Sequence, residues 1–273
     1  MGHEKPSGGL SMTPPGASEP DPRALISQPA YRLAALDPDF LLGESMRGVR
    51  FLLEYEKADQ ALKSWGIRST IVVFGSARVR ADDPGDKGRW FAEGREFGRI
   101  ASQRGGALAG PTGAGPRDNV IATGGGPGLM EAANRGASEA GAPTIGFNIS
   151  LPHEQFPNPF ITPGLAFRFH YFAMRKMHLA MRANALVAFP GGFGTLDELF
   201  EILTLVQTGK GPRVPIVLFD ETYWRSLIRF DVLVDRGMID PADLDLIRFA
   251  DTAEAAWQEV SAGVLAAEGG ARP

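Results

Sequence analysis

Two stretches of this 273-residue chain hold most of the chemistry its residues can offer. Pro190-Gly191-Gly192-Phe193-Gly194-Thr195-Leu196-Asp197-Glu198 joins a glycine-rich turn to carboxylates, and Met174-Arg175-Lys176 precedes it with two adjacent cations. A second turn, Gly124-Gly125-Gly126-Pro127-Gly128, has the same form. A glycine turn entering a helix lets backbone N–H groups approach an anion, and the helix N-terminus favours negative charge. Pro127 suits the first turn of such a helix. Two such turns on one edge point to a phosphate ligand; the plainer reading is two tight strand-to-helix connections. Glu198 also reads two ways. Thr195-Leu196-Asp197-Glu198 fits a capping box, with Thr195 as N-cap, ahead of an apolar stripe of Leu196, Leu199, Phe200, Leu203 and Val206. Yet Glu198 lies off that stripe, as a first-turn acid beside an anion loop, which is wasteful unless the acid does chemistry. Arg175 either faces solvent or reaches the same edge and pairs with Glu198.

Composition narrows the chemistry. The net charge of -4 disfavours a partner bound through nucleic-acid phosphates. There are no cysteines, which excludes thiolate nucleophiles, disulfides and cysteine-bound metals. The four histidines, His3, His153, His170 and His178, show no HxxH or HExxH spacing, so no metal is expected. Neither glycine turn is a dinucleotide fingerprint: the GxGxxG frame from Gly124 ends on Leu129, and that from Gly192 ends on Asp197. Asp220, at the end of the next strand, only imitates a ribose-binding acid. A GxxxxGK[ST] phosphate loop is absent. The polar Met1–Arg23 stretch has no apolar signal region, and no apolar run approaches a membrane span, so a cytoplasmic protein without membrane contact is expected.

The elements that must position these residues alternate. β-Branched or apolar runs at 69–74, 119–123, 143–149, 185–189, 214–219 and 246–250 read as strands. Helical patterns fill 90–104, 129–140, 170–182, 196–207, 222–236 and 253–267. This predicts an α/β fold: a doubly wound, Rossmann-like parallel sheet with helices on both faces, binding ligand at the C-terminal ends of its strands. The expected organisation is a disordered tail over 1–30, an N-terminal helical extension over 31–66 and a nucleotide-binding catalytic domain over 67–268. Gly105–Arg117, rich in glycine and proline, reads as a mobile loop near the active edge. Met174, Met177 and Met181 form a stripe more typical of a core or subunit interface than of chemistry.

The paired motif, Met174-Arg175-Lys176 followed by Pro190 to Glu198, resembles the MRK…PGGxGTxxE signature of the LONELY GUY (LOG) family, phosphoribohydrolases often labelled lysine decarboxylases. Phe74-Gly75-Ser76-Ala77-Arg78 and Gly124 to Asn134 resemble the family's earlier loops. The resemblance covers roughly residues 45–265. It implies hydrolysis of the N-glycosidic bond of a nucleoside 5′-monophosphate, AMP or an N6-modified AMP such as a cytokinin riboside monophosphate, with no cofactor. On this implication the phosphate sits on the N–H groups of Gly191, Gly192 and Gly194 and the Thr195 hydroxyl. Glu198 stabilises the oxocarbenium-like ribose and orients or deprotonates water. Arg175 keeps Glu198 ionised by lowering its pKa. Met174, Lys176, Gly75, Ser76, Gly125 and Gly126 line the same edge. Glu131 touches the ribose hydroxyls or a neighbouring subunit, or is simply a first-turn acid. A homo-oligomer is implied, a dimer around 171–182 or a hexamer. A decarboxylase would hold pyridoxal phosphate on a lysine, and only Lys176 of the six lysines lies in a family motif. The rival readings are a non-catalytic nucleotide or molybdenum-cofactor carrier of the same fold, a nicotinamide-dependent oxidoreductase and a nucleotide-sensing scaffold.

Overall fold

A computed structural model describes residues 21–109, 115–150 and 156–269. The chain divides into two compact units, Met1–Arg50 and Phe51–Pro273. In the first, short helices α1 (Pro22–Ile26) and α2 (Pro38–Leu42) each start on an aspartate N-cap, Asp21 and Asp37. Helix α3 (Arg47–Ser64) begins there and runs into the second unit, so the division falls inside a helix rather than at 66/67. Of the expected tail, residues 1–20 lie outside the described residues.

The second unit is a seven-stranded sheet, ordered β4-β3-β2-β1-β5-β6-β7, with every pair parallel. The strands are β1 (Thr70–Phe74), β2 (Val120–Thr123), β3 (Thr144–Ile149), β4 (Ala166–Phe169), β5 (Ala183–Ala188), β6 (Ile216–Phe219) and β7 (Ile247–Ala250). The helices between and after them are α4 (Asp86–Arg104), α5 (Leu129–Glu139), α6 (Phe172–Met181), α7 (Phe193–Gln207), α8 (Glu221–Leu227), α9 (Phe230–Asp235) and α10 (Ala253–Gly269). The fold class is the doubly wound, Rossmann-like one. Strand side chains alternate faces, which divides the core in two. Val72, Phe74, Ala122, Phe147, Leu186 and Leu218 face α3, α6 and α7. Ile71, Val73, Ile121, Val187, Val217 and Phe219 face α4, α5 and α10.

Four local expectations are corrected. β4, an edge strand, was not among the expected strands; it is four residues long and only every second side chain is buried. The expected helix over 222–236 is two helices, because Ile228 is extended. Pro127 precedes its helix: α5 starts at Leu129 with Gly128 as N-cap. The described ends of 105–117 lie at the opposite edge of the sheet from the ligand edge. Arg117 bridges Ile67, ahead of β1, and its amide donates to Gly66 O. Residues 110–114 of that loop lie outside the described residues.

Candidate active site

The chain winds outward from β1 through β2 and β3 to β4, then crosses back to β5 on the other side of β1. Parallel strands whose connections diverge in this way leave a crevice at their C-terminal ends. The crevice here is a cleft of about 720 Å³. The loop after β1 (Gly75, Ser76, Ala77 and Arg78) forms one side, and the loop after β5 with the first turns of α7 (Pro190 to Glu198) forms the other. Arg175 and Phe172 of α6, Lys87 and Trp90 of α4, Met130 of α5 and Tyr223 of α8 complete the wall.

The loop after β5 enters α7 earlier than its sequence signature suggests. The helix starts at Phe193 on a Gly192 N-cap that has no side-chain cap bond. Thr195 is therefore the third helical residue rather than the N-cap, Glu198 is the sixth, and no capping box forms. The first turn of an α-helix has no intrahelical acceptors for its N–H groups. Gly192, Phe193 and Gly194 are all exposed to the cleft side. Gly191 has a different role: a Cβ there would lie 2.1 Å from Thr195 Oγ1, so its glycine lets the loop close onto a buried threonine.

Glu198 is buried, 3% exposed, and its Oε1 lies 3.4 Å from the Arg175 guanidinium. Arg175 is fixed by more than this ion pair. Its Nε donates to Phe147 O at 3.0 Å, and its guanidinium lies about 6 Å from the rings of Phe74 and Phe172. Helix α6 is gripped at both ends by α3. The Glu54 carboxylate accepts the N–H groups of His170 and Tyr171, and Asp59 pairs with Arg182. Arg175 does not hold Glu198 ionised as expected. Burial raises the carboxyl to about 7, and the opposing cations Arg175 and Lys176 only partly offset it. Near neutral pH the group exchanges its proton readily, which suits an acid–base role.

Of the residues singled out by sequence, Gly75, Ser76, Arg175, Gly191, Gly192, Gly194, Thr195 and Glu198 meet around this cleft. Gly125, Gly126, Glu131, Met174 and Lys176 do not line it. The Gly124–Gly128 turn is occupied with its own neighbours: Gly125 N donates to Thr123 Oγ1, Leu129 N donates to Ser76 O, and the carbonyls of Gly125 and Gly126 accept from Asn158. Gly124 still matters, because a Cβ there would crowd the Arg175 guanidinium at 3.2 Å. Glu131 is a half-buried first-turn acid of α5. Met174 packs against the core. Asp220 does not face a ribose; it caps α8 and accepts from Trp90. Lys87, Trp90 and Tyr223 were missed. The available signal was their place at the starts of the helices that follow β1 and β6, which open on the ligand edge.

Lys176 lies between Asp197 and Glu201, at 2.8 and 2.9 Å. Burial favours its neutral amine, but hydrogen bonds to these carboxylates outweigh that and hold the ammonium above its ordinary range. A Schiff-base lysine needs the opposite environment, so Lys176 does not fit pyridoxal phosphate.

A family model described as possible lysine decarboxylase matches residues 130–260. Cytokinin riboside 5′-monophosphate phosphoribohydrolase LOG3 of Arabidopsis thaliana is 31% identical over 139 residues, covering 50% of this chain and 63% of LOG3. LOG7 of the same plant is 42% identical over 82 residues, covering 29% of this chain and 37% of LOG7. Over these segments the chain is similar to members of the LOG family. Its matches span less than two thirds of the length of these LOG relatives. A solved structure, the structural-genomics target TM1055, is 25% identical, with 71% of this chain and 99% of that one aligned at a TM-score of 0.51.

Proposed function

We propose that this chain is a member of the LOG family and hydrolyses the N-glycosidic bond of a nucleoside 5′-monophosphate, AMP or an N6-modified AMP, to free base and ribose 5-phosphate. One observation carries the reading: a buried carboxyl with a pKa near neutrality, Glu198, borders the same cleft as an uncapped helix start. The 5′-phosphate is held by the N–H groups of Gly192 and Gly194 at that start, as anions are at helix N-termini, with Arg78 and Lys87 at the mouth. As the bond from C1′ to the base nitrogen breaks, positive charge develops on the ribose. The Glu198 carboxylate stabilises that charge and takes a proton from the water that attacks C1′. The departing nitrogen gains a proton, so one water is consumed. Arg175 restrains Glu198 and, with Phe172, borders the base side of the cleft. The named activity of LOG3 and LOG7 supports this reading. Absence, among the described residues, of a helix long and apolar enough to cross a membrane is compatible with a cytoplasmic setting. The half-exposed Met177 and Met181 line an apolar groove between α6 and α7 suited to a second copy of the chain in a homo-oligomer.

The test is base release from AMP by the purified protein, followed by chromatography, beside Glu198→Gln. Free adenine from the wild type and none from the variant is the expected result. Nucleotide binding without release, across a panel of monophosphates, would overturn the hydrolase in favour of a carrier.

A further inference from the structure

The carbonyl of Gly191 is held from outside its own loop. Tyr223, on the first turn of α8, donates its hydroxyl to Gly191 O at 2.8 Å. The peptide that follows is trans, and a trans peptide is planar with its C=O and N–H directed to opposite sides. Fixing the Gly191 carbonyl therefore fixes the direction of the Gly192 N–H. Glycine has the widest choice of φ and ψ, and nothing lies within 4 Å of where a Gly192 Cβ would be. Backbone bonds hold the loop on either side of this peptide, from Ser76 N–H to Pro190 O and from the Thr195 and Leu196 N–H groups to Gly192 O, and the Tyr223 hydroxyl acts on the peptide itself.

Tyr223 is itself set by a strained residue. Asp220 has φ +72°, a left-handed conformation that a non-glycine residue adopts at a cost. It is 6% exposed. Its Oδ1 accepts the Tyr223 N–H at 3.0 Å, and its Oδ2 accepts the indole N–H of Trp90 at 2.7 Å and a bond from Arg89. Trp90 in turn meets the Tyr223 ring edge-on, with centroids 5.7 Å apart. Strain of this kind persists where the surroundings over-determine it, and here it places two aromatic walls of the cleft at once.

We infer that Tyr223 is a positioning residue for the phosphate loop, aimed by Asp220, and that it acts by orienting the Gly192 N–H. The identity of the bound group rests on the hydrolase reading above; the orientation of the loop does not. Burial pushes the Tyr223 phenol up, so it stays a donor at neutral pH.

The experiment compares wild type, Tyr223→Phe and Asp220→Asn as full chains. The first readout is the backbone amide NMR signals of the two glycine loops without ligand. Both variants are expected to broaden or split Gly192 and Gly194 while Gly125 and Gly126 stay unmoved. A merely structural role would disturb both loops or neither. The second readout is AMP cleavage. Tyr223→Phe is expected to raise KM about five- to tenfold, the worth of one neutral hydrogen bond, with kcat within about twofold. An unchanged Gly192 signal in Tyr223→Phe overturns the inference, as does an unchanged KM in a protein that cleaves AMP. An unchanged signal in Asp220→Asn alone removes Asp220 from it. If the wild type cleaves no monophosphate, the hydrolase reading fails and the amide signals alone decide this one.

Discussion

The loop after β2 and the loop after β5 look alike as sequences and differ as structures. Both are glycine-rich, both follow a buried parallel strand and both open a helix. The glycines of the first serve packing. A Cβ on Gly128 would lie 2.3 Å from Ser76 O, and one on Gly125 would lie 2.2 Å from the Asn148 side chain. The glycines at the tip of the second serve openness, since a Cβ on Gly192 or Gly194 would meet nothing within 4 Å. Both helices start on a glycine without a side-chain cap, but the amides of Gly125 and Leu129 are bonded to Thr123 and Ser76, whereas among the described residues those of Gly192, Phe193 and Gly194 have no such partner. A glycine-rich turn is thus not by itself a sign of an anion site in such a fold; what matters is whether its N–H groups are already taken.

The sharpest way to break the comparison is on the side of the open loop. Glu198→Gln is expected to lower kcat by roughly 10²–10⁴, the usual worth of a positioned acid–base group. AMP affinity should stay within a few-fold by calorimetry, because the phosphate is held elsewhere. Near-wild-type turnover would move the chemistry away from this loop altogether.

The next effect belongs to the packed loop. Gly128→Ala combines φ +74° with a backbone clash against Ser76, and should cost about 2–4 kcal/mol in denaturant unfolding. Gly192→Ala has φ -93° and free space, so its melting temperature should match wild type while AMP binding weakens roughly tenfold, about 1.4 kcal/mol. Equal destabilisation by the two substitutions would erase the distinction between the loops.

The strands other than β4 were legible because continuous apolar runs such as Ile71–Phe74, buried along their whole length, state a parallel sheet covered on both faces. β4 was not, because Ala166–Phe169 alternates at a sheet edge and follows a proline and a glycine that read as a turn. The start of α7 was misplaced by three residues. Gly192-Phe193-Gly194 has poor helix propensity, and Thr195 to Glu198 imitates a cap. Arg175 and Glu198 were nameable from their spacing, but the sign of the Glu198 shift was not. It depends on how deeply the second turn of α7 is covered, which only the packed fold decides. Trp90 and Tyr223 stand far apart in the chain and meet through Asp220, a contact with no local signature.

The dependence on pH is the most diagnostic of how Glu198 is tuned. Its carboxyl sits at about 7 in the folded chain against an ordinary 4.5. Between those values the folded protein holds a proton that the unfolded chain has lost, so this group's contribution to stability falls as pH rises from 4.5 to 7. Glu198→Gln cannot lose that proton, so relative to wild type it should gain stability across the same window, by on the order of 3 kcal/mol once above pH 7. Unfolding curves at pH 4.5 and pH 8 check this. In the free enzyme, kcat/KM should rise on an acidic limb centred near pH 7. Arg175 is the larger of the two cations that oppose burial. Arg175→Gln should therefore carry the limb upward, by about one pH unit, beyond any loss of rate. A limb that stays in place would mean that Arg175 acts on the substrate rather than on Glu198, and the pair would then belong to the cleft as two separate groups.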